Sequence, residues 1–138
     1  MSARRALIGS CSLYVTAGIA DRTVLPGRLS RPEVVTAVSG ALALVAPSRV
    51  EGFGIVVLEG WRAGVPVVVT SRGGPPEFVD DGRTGLLVDP EDVEALARAV
   101  ERVVGDRELA RDLGAAGRAE AAAYSWERVA EDYAALYP

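Results

Sequence analysis

Residues 47–70, PSRVEGFGIVVLEGWRAGVPVVVT, decide the fold. They follow Leu42–Ala46, a short continuous apolar run closed by Pro47, the pattern of a strand buried in a parallel sheet. Within the stretch, Gly54–Ala63 reads as a helix closed by Gly64. Val65–Thr70, VPVVVT, is rich in β-branched residues and too short for a helix, so it reads as the next strand. Strands alternating with helices imply an α/β fold with a parallel sheet.

Outward from this centre the same alternation holds. Upstream, Thr23–Pro26 is a strand candidate closed by Gly27, and Pro32–Ala41 reads as a helix with Ser30 as N-cap and Pro32 in its first turn. Downstream, Pro75–Asp80 reads as one or two helical turns ended by Gly82, and Leu86–Val88 as a short strand. Glu91–Val104 is a helix whose 3.6-residue period places Val93, Leu96, Ala97, Val100 and Val103/Val104 on one face. Asp106–Ala123 is a second helix, weakened by Gly114 and Gly117. Ser125 is the expected N-cap of a last helix running to Leu136, with Trp126, Val129, Tyr133 and Leu136 expected to be buried. With no internal repeat, low-complexity segment or linker, residues 1–138 are expected to form one Rossmann-like domain: a single parallel sheet with flanking helices and a helical C-terminus.

Composition narrows the chemistry. The 138 residues suffice for one core, and about half are apolar. A net charge of −4 argues against nucleic acid as a partner. No apolar run reaches the roughly 18 to 20 residues of a membrane span. The N-terminal MSARRALIGS does not read as a signal peptide, because Gly9, Ser10 and Ser12 interrupt its apolar stretch. Cys11 is the single cysteine, so an internal disulfide is impossible, and a cytoplasmic protein is expected. The chain contains no His, Lys, Asn or Gln. The usual general base, the Schiff-base amine and the P-loop Lys are therefore all missing. No metal site is expected. Carboxylates, Arg, hydroxyls and backbone amides remain, a set suited to stabilising a phosphate leaving group.

In sheets of this kind ligands bind beyond the carboxyl ends of the strands, where a loop feeds a helix N-terminus. PSRVEGFG and TSRGGPPE occupy such places. Gly52 and Gly54 allow close backbone approach and positive φ. The amides from about Gly54 onward open a helix and offer an anion site suited to a diphosphate. Glu59 lies in the second turn among apolar residues, where a ribose diol could donate two hydrogen bonds to it, and Glu51 precedes the helix, near where a sugar beyond the phosphates would lie. By spacing alone, a Gly-rich strand-to-helix turn carrying two surface Glu is the plainer reading.

The stretch from Pro47 to Val100 closely resembles the family 4 retaining glycosyltransferases, whose hallmark is two Glu separated by seven residues, then an AGxPVV strand and a GGxxE turn. Here these are Glu51 and Glu59, Ala63–Val68, and Gly73-Gly74-Pro75-Pro76-Glu77. DGxTGLLV and PxDxxxLA elements follow as Asp81–Val88 and Pro90–Ala97, and YSWERVAEDYAALY is similar to the family's last helix. The resemblance covers roughly residues 20 to 138.

It implies the C-terminal, donor-binding half of a GT-B fold and a metal-independent transfer of sugar from a UDP-, GDP- or ADP-sugar to an acceptor, with no separate cofactor. It further implies that Glu59 binds the donor ribose and that Glu51 contacts the donor sugar near the reacting centre. The amides of Gly52, Phe53, Gly54 and Ile55 would contact sugar and diphosphate, and Arg28 and Leu29 become candidates for the nucleobase. For Arg28 a solvated loop charge is an equal reading, and for Glu77 a carboxylate favoured by a helix dipole is the plainer one.

Members of this family are more than twice as long, with an N-terminal half that binds the acceptor and has no counterpart here. The Arg and Lys that usually grip the diphosphate precede the matched region, a loss worth about 3 to 4 kcal/mol per key contact in comparable sites. The family's first C-domain strand also has no match, and Ala6–Ile8 reads as a remnant of the second. A fragment, a truncated product, and one half of a two-chain or self-associated enzyme are the expectations left open. A binding module without catalysis is the alternative function.

Overall fold

The computed structural model describes residues 18–137. Cys11, the remnant strand expected at Ala6–Ile8 and most of the 9–21 segment lie outside the described residues. The chain divides into two compact units, Met1–Val34 and Val35–Pro138.

The described part of the first unit holds a single 3-10 turn, Ala20–Arg22. The strand expected at Thr23–Pro26 does not form. The Thr23 hydroxyl instead donates 2.8 Å to the carbonyl of Ile19, closing the turn, and Pro26 has no N–H to give a ladder. β-Branched residues favour a strand only where a neighbour pairs with them. Helix α1, Arg31–Ser39, begins in this unit. Its start is half of a capping box: Ser30 donates its amide (2.8 Å) and its hydroxyl (2.6 Å) to the Glu33 carboxylate. These bonds hold the Glu33 pKa below its ordinary value, the hydroxyl contributing most.

The second unit carries a three-stranded parallel sheet in the order β1 (Leu44–Ala46), β2 (Val67–Thr70), β3 (Leu86–Val88). Leu44 pairs with Val67 and Val68 with Leu86, each register running on without a break. Four helices follow the expected order: α2 (Ile55–Ala63), α3 (Val93–Gly105), α4 (Arg107–Glu120) and α5 (Trp126–Leu136), with 3-10 turns at Pro75–Glu77 and Ala121–Ala123. This is the α/β parallel arrangement with a helical C-terminus that the sequence implied. Among the described residues no helix is long and apolar enough to cross a membrane.

Strand β2 is buried along its whole length because both its faces are covered. Successive side chains of a strand point to opposite faces. Val67 and Val69 join Val57, Leu58 and Trp61 in one core cluster, while Val68 joins Leu86, Val88, Val103 and Leu113 in the other. The two clusters meet along α4. There the two glycines that weaken the helix by propensity serve packing. A Cβ on Gly117 would collide with the indole of Trp61, 2.7 Å from its Nε1, and one on Gly114 would overlap the Gly64 carbonyl.

Two expected faces differ in the structure. On α3 the buried stripe is Leu96, Ala99, Val100 and Val103, while Val93 and Ala97 are exposed. The period is right, and Leu96, Val100 and Val103 of the expected face do pack on the core, while Val93 falls in the first turn directly after the Asp92 cap, whose side chain accepts from Ala95 N–H at 2.8 Å. On α5 the expected burial does not occur: Trp126 is 83% exposed, and Val129, Tyr133 and Leu136 are exposed as well. The helix itself forms as expected, its start capped by the Ser125 hydroxyl accepting from Arg128 N–H at 3.1 Å.

Candidate functional site

The loop after β1 and the loop after β2 pack against each other backbone to backbone. The amide of Gly74 donates to the carbonyl of Glu51 at 3.2 Å. A Cβ on Gly73 would overlap that same carbonyl, and one on Gly74 would overlap the Gly52 carbonyl and lie 2.8 Å from Phe53 Cα. The two glycines of GGPPE are thus required by the approach of EGFG. Gly54 ends the first loop at φ 93°, ψ 51°, a left-handed conformation that costs an L-residue energy and turns the chain into α2.

No side chain caps α2, so its leading amides and the positive end of its dipole open onto this loop. Glu51 is half-buried beside Gly54, Glu59 is exposed on α2, and Gly52, Phe53 and Ile55 are exposed along the loop and the first helical turn. Among the described residues no hydrogen bond or ion pair ties the carboxylate of Glu51 or Glu59 to another group.

Their acidic neighbours behave differently. Asp81 accepts the Leu87 amide at 2.8 Å, Asp80 pairs with Arg83, and Asp92 and Asp106 cap helices. Asp89 is held below its ordinary pKa by hydrogen bonds from the Glu91 amide and from Arg72. Arg72, the cation of the second loop, is engaged by Asp89 at 2.8 Å and Glu91 at 2.9 Å. The Asp80–Gly85 turn is held from within. Thr84 is fully buried, its hydroxyl accepts the Asp80 amide at 2.9 Å, and its carbonyl accepts the Trp61 indole N–H at 2.8 Å. Its buried groups support the fold.

The structure thus groups Glu51, Gly52, Phe53, Gly54 and Ile55 at the mouth of α2, with Glu59 one turn further along the same helix. Arg28 is exposed and Leu29 half-buried in the first unit, and Glu77 is exposed at the end of the Pro75–Glu77 turn. Among the described residues no group of acidic, His or Cys side chains could hold a metal ion. Residue-level reading missed Phe78, whose ring stacks on Phe53 at 4.9 Å, and Tyr124, 6.4 Å from Phe53. Burial pushes the Tyr124 hydroxyl pKa up, with Glu120 adding to the effect. The aromatic residues at 53, 78 and 124 were visible in the sequence, but nothing local joined them.

The profile of the family described as "Glycosyl transferases group 1" matches residues 12–120. The chain is 36% identical over 120 residues to the D-inositol 3-phosphate glycosyltransferase of Thermobifida fusca, covering 87% of this chain and 28% of that protein. It is 38% identical over 121 residues to the GDP-mannose-dependent alpha-(1-6)-phosphatidylinositol monomannoside mannosyltransferase of Mycobacterium tuberculosis, covering 82% and 31%. The sucrose-phosphate synthase of Thermosynechococcus elongatus superposes with a TM-score of 0.85 at 36% identity, over 91% of this chain and 32% of that one. The chain therefore spans about a third or less of the length of these relatives.

Proposed function

The chain belongs to the group 1 glycosyl transferases, and on that premise we propose that it supplies the donor site of a retaining, metal-independent sugar transfer. A UDP-, GDP- or ADP-sugar binds at the mouth of α2, and its diphosphate takes the amides of Gly52, Phe53, Gly54 and Ile55. Glu59 accepts hydrogen bonds from the ribose, and Glu51 faces the sugar near the carbon that is transferred. The bond from that carbon to the diphosphate breaks, the acceptor's hydroxyl oxygen bonds to the carbon on the same face, and the nucleoside diphosphate leaves carrying the hydroxyl proton. Arg28 and Leu29 are assigned to the base in the same proposal, and the location is cytoplasmic.

The observation that carries this reading is that Glu51 and Glu59, which flank a helix N-terminus with no side-chain cap, have no side-chain partner among the described residues. Asp80, Asp81, Asp89, Asp92 and Asp106 are tied into turns, caps and ion pairs, whereas Glu51 and Glu59, like the exposed Glu77 of the second loop, have no side-chain partner among the described residues. The named relatives support the donor class, one being GDP-mannose-dependent.

Titrating UDP, GDP and ADP into the purified chain tests it, with binding of at least one expected. A hydrogen bond to a charged group is worth about 1.5 to 3 kcal/mol, so Glu59→Ala is expected to weaken that nucleotide by roughly ten- to hundredfold. Unchanged affinity in Glu59→Ala would remove the ribose assignment. The alternative reading is a nucleotide-sugar-binding module without transfer by itself. Donor turnover by the chain alone would dismiss that reading, and binding without turnover would favour it.

A further inference from the structure

We propose that Tyr124, acting through Phe78, positions the Gly52–Gly54 loop for its ligand, so that the residue preceding the last helix is a positioning residue for donor binding. This rests on the reading of that loop as the donor site.

Phe53 lies at the centre of the loop and is 47% exposed, too open to be fixed by burial alone. Its ring has a defined partner nonetheless, stacking on Phe78 at 4.9 Å with 18° between the planes. Phe78 is itself braced from two sides, edge-on by Trp61 at 5.6 Å and 87°, and by Tyr124 at 5.6 Å. Tyr124 also reaches Phe53 at 6.4 Å and Trp61 at 6.2 Å. These separations and tilts fall in the range where aromatic pairs attract beyond simple area burial.

Tyr124 is anchored in turn by its backbone. Its carbonyl accepts from Arg62 Nη2 at 2.8 Å, and its amide donates to the Ala121 carbonyl at 3.2 Å. A continuous set of rings therefore runs from rigid backbone at position 124, over Phe78, to the one large side chain of the GFG loop. The Gly74–Glu51 hydrogen bond fixes the backbone of the loop at its entry, and the rings fix it at its middle. The backbone of Gly74 packs on one side of Gly52 and Phe53, and the rings hold the Phe53 side chain on the other.

A purely structural role for Tyr124 would lower stability without selectively loosening the loop, which sets the experiment. Tyr124→Ala, Tyr124→Phe, Phe78→Leu and, as a control in the opposite core cluster, Leu113→Ala are compared by 15N relaxation of the Gly52–Gly54 amides. The same variants are titrated with UDP, GDP and ADP. Tyr124→Ala and Phe78→Leu are expected to loosen those amides and to weaken the bound nucleotide about two- to tenfold, the change that aromatic-pair energies correspond to. Tyr124→Phe, which keeps the ring, is expected to match the parent in both readouts. Leu113→Ala is expected to lower the Tm while leaving loop amides and affinity unchanged. If Tyr124→Ala does not fold, Phe78→Leu carries the same readouts. Loop amides as rigid in these variants as in the parent, or equally loosened by Leu113→Ala, would overturn the positioning role. A parent chain that binds none of the three nucleotides would overturn the donor reading instead, since the relaxation result needs no ligand.

Discussion

Trp61 on α2 is fully buried and Trp126 on α5 is 83% exposed, although both sit in amphipathic helices read with equal ease from the sequence. Trp61 meets β2 below it, Gly117 of α4 beside it, and a carbonyl from the Thr84 turn at its indole N–H. Trp126 begins its helix where none of these surrounds it. Helical spacing tells which residues share a face. It does not tell what covers that face, which depends on elements brought from elsewhere in the chain.

The largest effect should separate the two tryptophans. Trp61→Ala is expected to cost about 3 to 5 kcal/mol in urea unfolding, the usual range for deleting a buried large aromatic. Trp126→Ala should stay within about 0.5 kcal/mol. Equal costs would break the comparison. The next effect concerns what covers Trp61. Gly117→Ala should destabilise by about 1 to 3 kcal/mol through overpacking, partly offset by helix propensity. Gly105→Ala, at a position with nothing within 4 Å, should be neutral or stabilising by up to about 1 kcal/mol. Gly117→Ala as benign as Gly105→Ala would mean that α2 and α4 pack less closely than the contact requires.

The smaller effects lie on α5, which depends on its cap where α2 depends on burial. Ser125→Ala should cost about 1 kcal/mol, read as faster amide exchange confined to α5. Glu127 in its first turn is held below its ordinary pKa by hydrogen bonds from its own amide and from Ser125. A lowered folded-state pKa means the unfolded chain binds more protons in that interval, so the contribution is present above the ordinary Glu range and is lost as pH falls through the folded value. Acidification should therefore fray the start of α5 before α2, and Glu127→Gln should remove that pH dependence. Protection factors in α5 that do not fall on acidification would contradict it.

Much of the candidate site was legible because its signals are local. Gly54 at a left-handed turn, Gly64 closing the helix, and Glu51 and Glu59 at their spacing are properties of one short stretch. The union of EGFG with GGPPE was not legible. Gly73 and Gly74 look like turn residues in the sequence, and only the folded backbone shows them to be contact points for Glu51 and Gly52. Phe78 and Tyr124 were hidden for the same reason, since aromatic pairing across the fold leaves no periodic trace. Gly114 and Gly117 were read as a defect of α4, because propensity is a property of the helix and packing is a property of its neighbour.

What the sequence by itself determined is the order and kind of the second unit's elements. β-Branched runs, caps and glycine stops act over a few residues, and they placed β2, β3 and the starts of α2 and α5 within about two residues, the usual uncertainty at element ends. What only the tertiary structure decided is which faces are covered and which loops meet. Those depend on van der Waals fit between residues far apart in the chain, where a single Cβ is enough to forbid a contact. Sequence spacing alone does not bring GGPPE and the ring of Tyr124 against the EGFG stretch; the fold does.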